Sequence, residues 1–77
     1  MKLEIRTPEK RLFSGDVDAV HLPGTKGAFT VLPRHAALIS TLQEGKITCR
    51  KGKEEQDFDI KSGIVEVKNN VISICVE

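Results

Sequence analysis

The chain has no tryptophan and no tyrosine, and only three phenylalanines and two cysteines among its 77 residues. Single-stranded nucleic-acid platforms need exposed aromatic rings interleaved with basic residues, and that combination is missing. Two cysteines, Cys49 and Cys75, are too few for a disulfide framework, so they read as small apolar residues. The longest unbroken apolar run is Ala36-Ala37-Leu38-Ile39, far short of the ~20 residues of a membrane-spanning helix. The sequence therefore predicts no direct membrane insertion. Charge is balanced as well: twelve basic against eleven acidic residues leave a net charge of +1. That argues against a nucleic-acid or anionic-lipid surface, which shows a clear basic excess. Low-complexity tracts, internal repeats and linkers are also lacking.

What remains is a β-rich chain. Val, Ile and Thr make up nineteen residues, and their β-branched side chains suit a pleated sheet. Turn signals recur at short intervals: Thr7-Pro8, Ser14-Gly15, Pro23-Gly24, Pro33, Glu44-Gly45, Lys51-Gly52, Ser62-Gly63 and Asn69-Asn70. Between them the apolar positions alternate. Leu3 and Ile5 point one way; so do Val20 and Leu22, Ile47 and Cys49, and Ile72, Ile74 and Val76. Period two with such frequent turns predicts a single domain over residues 1–77, all-β, as a two-sheet antiparallel sandwich or barrel. One segment resists. In His35 to Glu44, residues Ala36, Leu38, Ile39 and Leu42 have helical spacing and Gly45 stands where a C-cap would. By pattern alone this stretch reads as a helix.

Chemistry-bearing patterns are weak. Gly24-Thr25-Lys26-Gly27 has two residues between its glycines, whereas a phosphate loop needs four and then Lys-Ser/Thr at the start of a helix. Here Ala28 to Leu32 reads as strand, so the glycines mark a turn. His21, His35, Cys49 and Cys75 lack the close spacing of zinc ligands, and His21 reads as an outward strand residue. No serine or cysteine is paired with a base, and the three phenylalanines read as core. Catalytic, cofactor and metal sites are therefore not expected. A carrier domain of lipoyl or biotinyl type is the alternative, with Lys61 in Asp59-Ile60-Lys61-Ser62-Gly63 as attachment site at a hairpin tip. Its usual flanks around the lysine are absent.

A longer pattern is more specific. Leu12-Phe13-Ser14-Gly15 is followed by Val17-Asp18, then by Leu22-Pro23-Gly24-x-x-Gly27-x-Phe29-x-Val31-Leu32-Pro33-x-His35-Ala36-x-Leu38-Ile39. Leu42-x-x-Gly45-x-Ile47 and Gly63-Ile64-Val65-Glu66-Val67 come next. This resembles the N-terminal β-sandwich domain of the epsilon subunit of F-type ATP synthases, from about Leu3 to the last residue. The resemblance implies two stacked antiparallel sheets, with Ala36 to Leu42 largely strand rather than helix. It implies a non-catalytic rotor subunit of the central stalk, which joins the gamma subunit to the ring of membrane c subunits. By position, Thr7, His35 and Ser40 correspond to the gamma interface, and Thr25, Lys26, Gly27 and Ala28 to the loop that meets the c ring. Relatives often carry an acidic residue at Ala28, glycine at Thr30 and Arg34, and proline at Ala37. Lys26 and Arg34 bring positive charge to the ring contact instead. Epsilon subunits typically continue into a C-terminal helical hairpin that can bind ATP in some species and can block rotation. No amphipathic helical stretch follows the last strand here, so a C-terminal helical domain, helical inhibition and an ATP site are not expected of these 77 residues. Met1 without a transit peptide fits a bacterial subunit at the cytoplasmic face of the inner membrane.

Overall fold

A computed structural model describes all 77 residues, Met1–Glu77. Nine strands and no helix make up the fold: β1 (Lys2–Arg6), β2 (Arg11–Asp16), β3 (Ala19–Leu22), β4 (Phe29–Val31), β5 (Leu38–Leu42), β6 (Gly45–Lys51), β7 (Glu54–Ile60), β8 (Gly63–Lys68) and β9 (Val71–Val76). They form a five-stranded sheet in the order β2-β1-β9-β8-β5 and a four-stranded sheet in the order β4-β3-β6-β7. The sandwich expected from the alternation is present. Every neighbouring pair is antiparallel except β1 and β9, where the two termini of the fold run side by side with Leu3 level with Ile72 and Ile5 level with Ile74.

Alternation drives the packing. Leu3, Ile5, Val65, Val67, Ile72, Ile74 and Val76 turn inward from the larger sheet and meet Val20, Leu22, Val31, Ile47, Cys49 and Ile60 from the smaller one. Fully burying one such side chain contributes about 1.5–3 kcal/mol relative to leaving it in water. The three phenylalanines are not in this centre. Phe13, Phe29 and Phe58 are half-buried and pack against its margin, because the space between the sheets is filled by aliphatic side chains and the rings are left at the open sides.

The helical pattern of residues 35–44 does not survive. Leu38–Leu42 is β5, an edge strand whose Leu38, Ser40 and Leu42 face inward while Ile39 and Thr41 face solvent. An apolar residue on the outer face breaks the alternation and so mimics helical spacing. Tertiary hydrogen bonds then decide the matter. Five residue pairs with β8 are supplemented by Thr25 N–H donating to Thr41 O at 3.0 Å and Gln43 N–H donating to Pro23 O at 2.9 Å.

Turns follow local chemistry. Asn69 and Asn70 join β8 to β9 with φ of 53° and 63°, left-handed values that asparagine tolerates and that suit a two-residue hairpin. Thr7 holds the β1–β2 turn: its Oγ1 accepts from the N–H of Glu9 at 3.2 Å and of Lys10 at 3.1 Å. Lys61 does not sit at a hairpin tip. β7 and β8 belong to different sheets, so Lys61-Ser62 is a crossover between layers, with the Lys61 N–H directed at Glu77 O. The topology removes the geometric basis for the carrier-domain alternative.

Candidate interaction surfaces

Strand direction defines two ends of the sandwich. β1, β5 and β9 point the same way, so Arg6, Leu42 and Val76 mark one end, and Lys2, Leu38 and Val71 the other. The loop Thr25–Ala28 lies near the first end. Gly24 bridges to Leu42, and Thr25 Oγ1 stands 2.7 Å from Thr41 Oγ1, so the loop is tied to the edge of the larger sheet. Lys26, Gly27 and Ala28 are exposed beyond that tie. Thr7, in the β1–β2 turn, belongs to the same end but to the opposite side of the five-stranded sheet.

Arg34 and His35 lie at the far end. The Arg34 N–H donates to Asn70 Oδ1 at 2.9 Å, which pins the crossover from β4 to β5 onto the β8–β9 turn. Asn70, just before β9, and Cys75, level with Ile64 and Thr41 across β8 and β5, are five residues apart along the chain, or ~16 Å. Arg34 is thus separated from the Thr25–Ala28 loop by the length of the sheet. His35 is exposed; its Nδ1–H donates to Ala36 O at 2.7 Å, leaving Nε2 to solvent. Ser40, on β5, is half-buried and faces the inner layer opposite Val65, with Oγ–H donating to Thr41 O at 3.1 Å. Of the three positions matched to the gamma interface, His35 and Ser40 share one edge and Thr7 does not.

The histidines and cysteines are dispersed. His21 stands on the outer face of β3, its Nδ1 2.6 Å from Thr30 Oγ1, while Cys49 faces inward on β6. Cys75 is exposed on the outer face of β9. Burial pushes the Cys49 thiol pKa up, and the negative charge of Asp57 adds to that.

One feature was not signalled by alternation. Ile39 is 69% exposed and Ile64 46% exposed on the outer face of the larger sheet. Ile64 pairs with Thr41 on one side and Cys75 on the other, and Ile39 is the diagonal neighbour on β5. The pair forms a short apolar strip beside Ser40. Its trace in the sequence is the consecutive pairs Leu38-Ile39 and Ile64-Val65, where one of two neighbours on a strand must face outward.

Comparison with known proteins fits this architecture. The family described as ATP synthase, Delta/Epsilon chain, beta-sandwich domain matches residues 1–77. An ATP synthase epsilon chain from Leptospira borgpetersenii is 38% identical over 77 residues, covering 100% of this chain and 61% of the relative. One from Caulobacter vibrioides is 44% identical over 70 residues, covering 91% of this chain and 81% of the relative. The chain thus spans less than two thirds of the Leptospira relative. Among solved structures, a chain of the Tetrahymena thermophila mitochondrial ATP synthase central stalk and c ring superimposes with a TM-score of 0.84 at 22% identity. That superposition covers 97% of this chain and 61% of the other, and shows the shared fold. Nine strands, their register and the match along the whole chain agree, and the protein belongs to the ATP synthase delta/epsilon-chain family through its β-sandwich domain.

Proposed function

We propose that this domain works as a non-catalytic part of the central stalk of an F-type ATP synthase, joining the gamma subunit to the c ring. The observation that carries the reading is the family match over the full 77 residues, together with relatives named as ATP synthase epsilon chains. The assignment is mechanical rather than chemical. A rotor component must hold two partners in one torque-bearing unit, and a two-sheet sandwich tied along both open sides is a stiff spacer.

One end of the sandwich and the edges of its larger sheet suit two partners. The loop of Thr25, Lys26, Gly27 and Ala28 is the c-ring contact in this reading, with Lys26 supplying the charge. Gamma docks along the β5 edge, where His35 and Ser40 lie beside the exposed Ile39 and Ile64; an apolar strip of this kind supports a protein contact. Thr7 extends the gamma contact around the β1–β2 side. Arg34, pinned beside Asn70, groups with His35 rather than with the ring loop. The complex places the domain at the cytoplasmic face of a bacterial inner membrane, held there by its partners.

Site-specific photocrosslinking in the assembled synthase tests the arrangement. A photoreactive residue at Ala28 is expected to capture subunit c, and one at His35 to capture gamma. Capture of neither partner from either position contradicts the reading.

A further inference from the structure

The β1–β2 turn sets two arginines opposite one another in register. Arg6 on β1 pairs directly with Arg11 on β2, where a β-bulge shifts the register between Ile5 and Arg6. Both lie on the outer face of the larger sheet, and Lys10 follows in the turn between them. Like charges opposite one another across a sheet oppose its formation. Arginine cannot relieve the repulsion by losing its proton, since guanidinium stays charged throughout the accessible pH range. Compensation from within the chain is small. Glu4 Oε1 lies 3.7 Å from Arg11 Nε, a partly exposed pair, and this is the single ion pair of the fold. Glu9 is the acidic residue of the turn itself and makes no ion pair, and neither Arg6 nor Lys10 has one. The turn is nevertheless rigid. Thr7 Oγ1 accepts two backbone N–H groups and donates to Lys10 O at 3.3 Å, and Pro8 fixes a further backbone angle. Arg6 to Arg11, with Pro8 and Glu9 among them, line an open concavity of about 320 Å³.

We propose that this turn is an oxyanion site, in which Arg6 and Arg11 receive a phosphate or carboxylate group that the chain does not itself supply. The planar forks of two arginines suit an anion with two or more oxygens, and a bound anion converts their repulsion into shared attraction. The group comes either from a small anion in solution or from an acidic side chain of a partner docked over the turn. The site stands in this chain alone, so it can be tested whether or not gamma binds.

The direct experiment follows the Nε–H NMR signals of Arg6 and Arg11 during titration with inorganic phosphate, with sodium chloride holding ionic strength constant. The expected result is a saturable shift at both arginines that Arg6→Gln abolishes at Arg11. In phosphate-free, low-salt buffer Arg6→Gln is also expected to raise Tm by about 1–3 °C, because it removes the repulsion while the anion is absent. A merely structural arginine would give the opposite sign. If the signals respond to ionic strength alone, or the variant melts at or below the temperature of the parent, the proposal is overturned. Repeating the titration with gamma bound separates the two sources. Loss of the phosphate response, with the arginine signals already moved, assigns the group to the partner; an unchanged response assigns it to a free anion.

Discussion

Phe13 of β2 and Phe58 of β7 meet edge to face across one open side of the sandwich, with ring centroids 5.9 Å apart and planes at 69°. Each comes from an edge strand of a different sheet, so the contact closes the layers where no backbone hydrogen bond can. The opposite side is closed by polar means, through the bridge of Gly24 to Leu42 and the Thr25–Thr41 contact. Both closures hold the two sheets in place against sliding.

Removing either ring should therefore loosen the layers. Phe13→Ala or Phe58→Ala is expected to cost about 1.5–3 kcal/mol, below the value for a fully buried phenylalanine because both rings are half-buried. A double-mutant cycle by urea unfolding should return a coupling of about 0.5–1.5 kcal/mol, the excess typical of an aromatic pair. Additive losses would mean that the rings act only as separate apolar surfaces.

Gly63 opens β8 where no side chain fits. A Cβ there would stand 2.7 Å from Cys75 O and 3.2 Å from a Val76 methyl, and the first of these is backbone that cannot move aside. Gly63→Ala is expected to destabilise the fold by about 1–3 kcal/mol through overpacking. An alanine variant with the parent's urea midpoint would show that β9 shifts freely at this point.

Arg34 has φ of 67°, a conformation costly to any residue with a Cβ. Arg34→Gly should release that strain, against the greater chain entropy of glycine, for a net gain of about 0.5–1 kcal/mol. If the variant is less stable than the parent in thermal melts, the Arg34 side chain contributes packing that outweighs the strain.

Cys49 and Cys75 should differ sharply in reactivity. Cys75 is exposed and Cys49 buried, so a thiol reagent at pH 8 is expected to modify one residue quickly and the other only on unfolding. The native thiol of Cys49 titrates above the ordinary 9.0 because burial disfavours thiolate. Above pH 9 the unfolded chain gives up this proton while the native chain keeps it, so stability falls as pH rises toward the native pKa. Cys49→Ala should flatten that alkaline decline, as measured by denaturant midpoints from pH 8 to 10.

Much of this fold is legible in the chain because alternation is a local signal. Leu3, Ile5, Val20, Leu22, Ile47, Ile72 and Ile74 follow it and are all fully or almost fully buried. β7 is harder to read, since Glu54 to Asp57 carry no apolar residue; an edge strand needs few inward contacts, and its charges also deter pairing with other chains. The parallel pairing of β1 with β9 joins opposite ends of the sequence and leaves no local trace. Candidate surface positions were legible only through family resemblance. Nothing in the spacing of Thr25 and Arg34 announces that they are held at opposite ends of the larger sheet, Thr25 against Thr41 and Arg34 against Asn70, because that depends on how the chain crosses between the layers.

The central claim is that this 77-residue chain docks on gamma by itself. Domains of this size gain only ~3–5 kcal/mol from one core, so a partner that binds the native state alone should raise the apparent stability measurably. Thermal melts of the chain with increasing amounts of the cognate gamma subunit are the direct measurement. The account predicts a midpoint that climbs with gamma concentration, and a smaller climb for His35→Glu, which keeps the parent's own midpoint but places a carboxylate in the contact. A midpoint unchanged at saturating gamma would contradict it.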